Sequence, residues 1–134
     1  EAWAAGPDNL VGLQVAGVPN LFTITGPGSP SVLSNMVIGI EQHVEWIGDC
    51  LVYLRDHGHT TIEASPEAQE AWVDHVNAVA EGTTFTAESC NSWYLGANVP
   101  GKRRVFMPYV GGFHTYIAEV DAAAAAGYEG FVLG

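Results

Sequence analysis

Two stretches carry groups suited to a ligand that combines negative charge with an aromatic ring. The first is Leu-Phe-Thr-Ile-Thr-Gly-Pro-Gly-Ser-Pro at residues 21–30. Its apolar and β-branched opening reads as a buried strand, and Gly26, Pro27 and Gly28 break it where the backbone must turn sharply or approach something closely. Ser29 fits a helix N-cap and Pro30 the first helical position, where a missing amide hydrogen costs nothing. A helix opened there aims its unpaired amides beyond the strand's carboxyl end, which suits a phosphate, a carboxylate or an electron-rich ring edge. No lysine follows the glycines as a phosphate-binding loop requires, so alone the stretch favours an ordinary strand-to-helix connection. The second is Asn-Ser-Trp-Tyr-Leu-Gly-Ala-Asn-Val-Pro-Gly-Lys at residues 91–102, followed by Arg103 and Arg104. Trp93, Tyr94 and a cationic cluster in an acidic chain suit an aromatic, phosphorylated ligand. Equally, Trp93 and Tyr94 fill a core while the cations neutralise nearby acids.

Other chemistry finds little support. His57 and His59 lack a third metal ligand at suitable spacing, and a helix end favours a cationic histidine through its dipole alone. His43 and His75 fall within helical patterns and are expected at the surface or its boundary. The Gly-x-Ser-x-Gly, His-Glu-x-x-His and Gly-x-Gly-x-x-Gly patterns are all missing, which removes support for nucleophilic hydrolysis, zinc proteolysis and a self-contained dinucleotide site. Cys50 and Cys90 form neither a disulfide framework nor a metal spacing, so a reducing, cytoplasmic compartment is expected. A net charge of -11, from 15 acids against 4 lysines and arginines, disfavours nucleic acid. No apolar run approaches the roughly 18 residues of a membrane span. The opening Glu1-Ala2-Trp3 has neither a signal peptide's character nor a methionine, which suggests an excised piece.

The positioning elements follow from periodicity. With 134 residues, 48% of them hydrophobic and 14% charged, the chain suits one packed domain or part of one, without linker, repeat or internal boundary. Residues 1–20 read as a weak strand or extended lead-in. Leu33, Met36, Val37, Ile40, Val44, Ile47, Leu51 and Leu54 mark an amphipathic helix running from the Ser29 cap to near Gly58. At 1.5 Å per residue it measures roughly 40 Å and needs more core than the chain offers. A β-branched run at 60–64 precedes a second helix over 66–81, opened by Ser65 and Pro66, with Ala68, Ala71, Trp72, Val76 and Val79 as its stripe and Gly82 as its stop. Residues 83–90 read as irregular, 104–110 as a strand, 113–126 as a third helix ended by Gly127, and 128–133 as a short final strand. The fold class is α/β.

Residues 19–36, 40–47, 92–102 and 104–112, read in that order and closed by Gly-Tyr-Glu-Gly-Phe at 127–131, resemble the C-terminal part of the flavin-dependent Baeyer-Villiger monooxygenases, the group of cyclohexanone and phenylacetone monooxygenases. The resemblance implies a partial FAD domain of three-layer, Rossmann-like form, in which residues 21–25 are a strand. It implies FAD and NADP as cofactors, with Gly26, Pro27, Ser34, Asn35 and Met36 at the flavin and Met36 the best single match. Ser31, Val32 and Leu33 would border the substrate pocket, and Trp93 would lie in a mobile loop closing over the nicotinamide nucleotide. Arg103 stands where the family pattern has proline. The family's two glycine motifs, its Phe-x-Gly-x-x-x-His-x-x-x-Trp fingerprint and its catalytic arginine would lie upstream, so no catalytic residue is expected here. The implied reaction inserts one atom of oxygen next to a ketone carbonyl to give an ester or lactone. A stand-alone, non-catalytic α/β ligand-binding or interaction module is the rival reading.

Two expectations follow for the isolated chain. It self-associates through an unpaired strand edge and an exposed apolar patch. It also has neither oxygenase activity nor tight FAD binding: flavin retained stoichiometrically through gel filtration would refute the fragment reading.

Overall fold

The computed structural model describes residues 6–31, 34–87, 89, 92–96, 99–101 and 104–134. Three helices, α1 (Met36–His57), α2 (Pro66–Ala80) and α3 (Phe113–Ala125), accompany two short strands, β1 (Ile62–Ala64) and β2 (Phe131–Leu133). The strands pair antiparallel, with Ile62 opposite Leu133 and Ala64 opposite Phe131. Single 3-10 turns lie at Thr84–Thr86 and Trp93–Leu95. The mixture is the α/β one expected.

α2 forms as its local signals dictate. The Ser65 hydroxyl accepts from the Ala68 amide at 3.1 Å, Pro66 opens the helix, and Gly82 takes a φ of 76° just beyond its end. Trp72, Val76 and Ala80 are buried, whereas Ala71 of the expected stripe is exposed. α3 starts after Gly112, buries Tyr116 and Val120, and gives way to Gly127 at φ 78°.

α1 departs from expectation at its start. Ser29 does not cap it, because the Ser29 hydroxyl and amide both donate to the Gly26 carbonyl, at 2.7 and 3.1 Å. Asn35 caps it instead, its side-chain oxygen accepting from the Val37 amide at 3.0 Å. The helix ends at Gly58, φ 75°, where the His59 amide reaches back to the Leu54 carbonyl at 2.8 Å. Gly39, His43, Trp46, Cys50 and Leu54 form its buried face. Val37, Ile40, Val44 and Leu51 stay exposed along the other side, as a helix too long for its core requires.

Two expected strands, 21–25 and 104–110, join no sheet. In 21–25 the Thr23 amide donates to the Leu13 carbonyl at 2.7 Å and the Thr25 amide to His43 Nδ1 at 3.0 Å. In 104–110 the Val105 and Met107 amides donate to the Leu95 and Tyr94 carbonyls, and the Phe106 amide turns away to the Asn77 side chain at 2.9 Å. The amides of Thr23, Thr25, Val105, Phe106 and Met107 are thus taken by loops and side chains, and no ladder forms between the two segments. The lead-in, expected as a weak strand or extended stretch, instead turns back on itself: Leu10 and Gln14 close a tight loop, with Val11 at φ 48° and Gly12 at φ 75°.

Aromatic rings join these pieces. Trp46 packs edge-on to Tyr128 at 5.1 Å between ring centroids, and Trp72 stacks on Tyr109 at 5.6 Å. Such pairs contribute about 0.5–1.5 kcal/mol each beyond the area they bury. His43, expected at the surface or its boundary, is 1% exposed. His75 is half-buried, 3.5 Å from the Glu119 carboxylate.

Burial pushes the His43 imidazole down to about 4 from 6.5. Between those values the unfolded chain holds one more proton than the folded one. The stabilisation is therefore full above pH 6.5 and is lost as the pH falls toward 4, by about 3 kcal/mol over the interval. Unfolding midpoints recorded from pH 7 to 4.5 should drop more steeply for the natural chain than for His43→Asn. Parallel curves would contradict the assignment.

Candidate functional site

The turn after residue 25 is built by close backbone approach. The Gly12 carbonyl accepts the Gly26 amide at 3.1 Å and the Thr23 hydroxyl at 2.8 Å, while the Asn9 side chain donates to that hydroxyl at 3.1 Å. A Cβ on Gly26 would stand 2.7 Å from the Gly12 carbonyl oxygen and 2.6 Å from Thr23 Oγ1, so only glycine fits. Beyond it the Gly28 amide donates to the Met107 carbonyl at 2.6 Å and the Tyr109 amide to the Ser29 carbonyl at 3.0 Å. Trp72 Nε1 donates to the Gly28 carbonyl at 3.1 Å. The turn, the 105–109 segment and the Trp93–Leu95 turn are thereby tied side by side.

Between them opens a cleft of about 390 Å³ lined by Thr25, Gly26, Pro27, Ser31, Met36, Trp93, Tyr94, Met107 and Pro108. No charged side chain lines it among the described residues. Met36, the first residue of α1, brings the positive end of that helix to its border. Tyr94 anchors one wall by packing edge-on to Phe85 at 6.0 Å and to Phe106 at 6.4 Å. Trp93 lies 4.1 Å from Tyr94 by ring centroid and is 59% exposed. Of these two aromatics, Tyr94 is the one that fills the core and Trp93 the one free to meet a ligand.

Five of the residues selected from sequence, Gly26, Pro27, Ser31, Met36 and Trp93, share this cleft. Asn35 is occupied in capping α1 and Ser34 lies beside it, its hydroxyl buried without a hydrogen-bond partner among the described residues. Val32 and Leu33 lie outside the described residues, as do Lys102 and Arg103. Sequence reasoning missed Thr25, Met107 and Pro108 as lining residues, while Tyr94, read equally as a ligand group and as a core plug, both lines the cleft and packs on the core. Pro108 carried a usable signal, since proline inside an expected strand marks an edge or a turn. A larger groove of about 540 Å³ between α1 and α3 is lined by Glu41, Glu45, Asp49 and Asp121, which disfavours an anionic ligand there. His57 and His59 belong to no metal-binding group among the described residues.

No protein-family model matches the chain. Acetone monooxygenase (methyl acetate-forming) from Gordonia sp. (strain TY-5) is 42% identical over 132 residues, covering 98% of this chain and 24% of that protein. Cyclohexanone 1,2-monooxygenase from Acinetobacter sp. is 36% identical over 129 residues, covering 96% of this chain and 23% of that protein. A solved structure of oxidized steroid monooxygenase bound to NADP matches with a TM-score of 0.88 at 46% identity, over 98% of this chain and 23% of that one. The chain thus spans about a quarter of the length of the relatives it matches, and these are monooxygenases. A Baeyer-Villiger monooxygenase from Pseudooceanicola batsensis is among them, 33% identical over 98% of this chain and 24% of that protein, so the chain is similar to the C-terminal family segment that residues 19–36, 92–102 and 104–112 led us to expect.

Gly26→Ala should lower stability by about 1–3 kcal/mol, because the added methyl meets backbone that cannot yield. Gly48→Ala, in α1 with nothing within 4 Å of the new Cβ, should be neutral or stabilising by up to about 1 kcal/mol. Denaturant midpoints of the two variants, compared with the parent, check this pair.

Proposed function

We propose that this chain is the C-terminal part of an FAD- and NADPH-dependent monooxygenase that inserts one oxygen atom next to a ketone carbonyl, giving an ester or lactone. The observation that carries the proposal is the convergence of Gly26, Pro27, Ser31, Met36 and Trp93 on one uncharged cleft at the start of α1. FAD, when bound, supplies the redox chemistry by passing electrons from NADPH to oxygen. The cleft's own makeup suits a flavin ring. Its lining is largely apolar and aromatic, its turn brings bare backbone to the surface at Gly26, and among the described residues no carboxylate stands in it to repel an electron-rich edge.

In this reading Met36, Gly26 and Pro27 hold the ring edge, with Ser34 and Asn35 beside them at the helix start. The α1 N-terminus stabilises negative charge placed on the reduced ring by about 0.3–2 kcal/mol. Ser31 borders the ketone. The exposed Trp93 closes over the nicotinamide nucleotide, and Tyr94 holds its backbone in place from the core. The chain contributes binding, orientation and exclusion of water, and the catalytic group comes from elsewhere in the enzyme.

The partner implied is the remainder of the same enzyme, which would cover the Val37, Ile40, Val44 and Leu51 face of α1. Among the described residues no helix is long and apolar enough to cross a membrane, and the enzyme is proposed to be cytoplasmic.

Trp93→Ala in the full-length enzyme tests the lid assignment. Its FAD content should equal the parent's, while ester formed per NADPH consumed falls severalfold. Unchanged coupling together with an unchanged NADPH KM would reduce Trp93 to a surface aromatic.

A further inference from the structure

We propose that His43, backed by Tyr116, is a positioning residue: it fixes the backbone of Thr25, and through it the turn that walls the cleft. Thr25 sits at φ 51°, a conformation that a β-branched side chain rarely adopts and that must be imposed from outside. Its amide finds no backbone acceptor in the cleft wall and donates instead to His43 Nδ1 at 3.0 Å. A ring nitrogen that accepts an amide hydrogen carries no proton, so the imidazole proton resides on Nε2. That nitrogen faces the Tyr116 hydroxyl at 2.7 Å, and the hydroxyl passes its own hydrogen to the Val11 carbonyl at 2.5 Å.

Every role in this relay is therefore assigned. Thr25 N–H donates to His43, His43 donates to Tyr116, and Tyr116 donates to Val11. His43 is 1% exposed and Tyr116 fully buried, so bulk water cannot replace either partner. The relay ends on a second β-branched residue of positive φ, Val11 at 48°. The residues next to its two ends, Gly12 and Gly26, are bonded to each other at 3.1 Å. Two unusual backbone conformations, on separate loops, are thus joined both directly and through one histidine and one tyrosine. One of them, Thr25, lines the cleft with its neighbours Gly26 and Pro27. A histidine serving the core alone would not need to reach a strained residue at the mouth of a cleft.

The proposal rests on the reading of that cleft as the flavin site, and the test separates the two. In the full-length enzyme purified with its FAD, His43→Leu removes the acceptor for Thr25 and His43→Asn restores an acceptor oxygen near the Nδ1 position. Tyr116→Phe removes only the hydroxyl. Met36→Ala reports on the cleft independently of the relay. The readouts are the absorption spectrum of the bound flavin, its reduction potential, and product formed per NADPH.

We expect Met36→Ala and His43→Leu both to alter the spectrum and potential. His43→Leu and Tyr116→Phe should lower coupling at least fivefold and twofold respectively, with His43→Asn recovering most of the loss. A normal flavin spectrum, potential and coupling in a folded His43→Leu enzyme, alongside a perturbed Met36→Ala, would overturn the positioning role and leave the flavin site standing. If Met36→Ala also changes nothing, the flavin site itself is misplaced. Should His43→Leu fail to fold, Tyr116→Phe decides alone: parental spectrum and coupling in that variant count against the proposal.

Discussion

The Gly12 carbonyl oxygen is the point on which the site depends. It accepts from both the Gly26 amide and the Thr23 hydroxyl, and it sits where a Cβ on Gly26 would have to go. Two loops distant in sequence are thereby held at backbone contact, which rigid packing of side chains alone rarely achieves. From there the linkage runs outward without a sheet. Gly28 and Ser29 bond to Met107 and Tyr109, and Val105 and Met107 bond to Leu95 and Tyr94. The cleft is a stack of extended segments and turns, each satisfied by the next.

That arrangement explains how so little regular structure supports a defined cavity. A buried amide left unpaired costs about 1–3 kcal/mol, so a loop-rich wall persists only where each donor has a specific acceptor. Side chains fill the places that a neighbouring strand would otherwise serve. His43 takes the Thr25 amide, Asn77 the Phe106 amide and Gln69 the Ala16 amide, the last at 2.8 Å. Trp72 contributes twice, by its indole hydrogen on the Gly28 carbonyl and by its face against Tyr109. α1 gains less from this chain. Its buried face carries Trp46, Cys50 and Leu54, but its other apolar stripe is about half exposed, and each such residue forgoes roughly half of the ~1.5–3 kcal/mol that full burial gives.

What could be read in the sequence divides by the range of the interaction. Ser65 and Pro66 announce α2 because the cap is made three residues away, and Gly58 and Gly82 mark ends because positive φ is a local demand. Ser29 misleads as a cap because its hydroxyl is taken by the Gly26 carbonyl, a turn interaction that competes with any helix start. Residues 21–25 and 104–110 have the composition of strands, but a strand is defined by its neighbour, and here the neighbours are loops. His43 lies on the face shared by Gly39, Trp46, Cys50 and Leu54, a spacing visible in the sequence yet masked by a second apolar stripe on the same helix. Trp93 and Tyr94, adjacent and alike, separate only when Phe85 and Phe106 are seen to receive one ring and not the other. The cluster of lining residues around Gly26 was legible, by contrast, through the resemblance of residues 19–36 to the family.

Charge placement adds a last constraint on what the cleft accepts. In a chain with a net charge of -11, carboxylates outnumber lysines and arginines by 15 to 4. α2 follows the general preference by placing Glu67 in its first turn, where it complements the helix dipole. α1, longer and with the greater need of stabilisation, has no acid in its first turn, and its carboxylates Glu41, Glu45 and Asp49 begin further along and line the groove shared with α3. Among the described residues, the positive end of the longest helix therefore meets no acid in its first turn, at the border of a cleft that they line without charge. A ligand that carries or develops negative charge at that end would supply the missing complement, and the apolar side chains of Met36, Met107 and Pro108 beside it add none of their own.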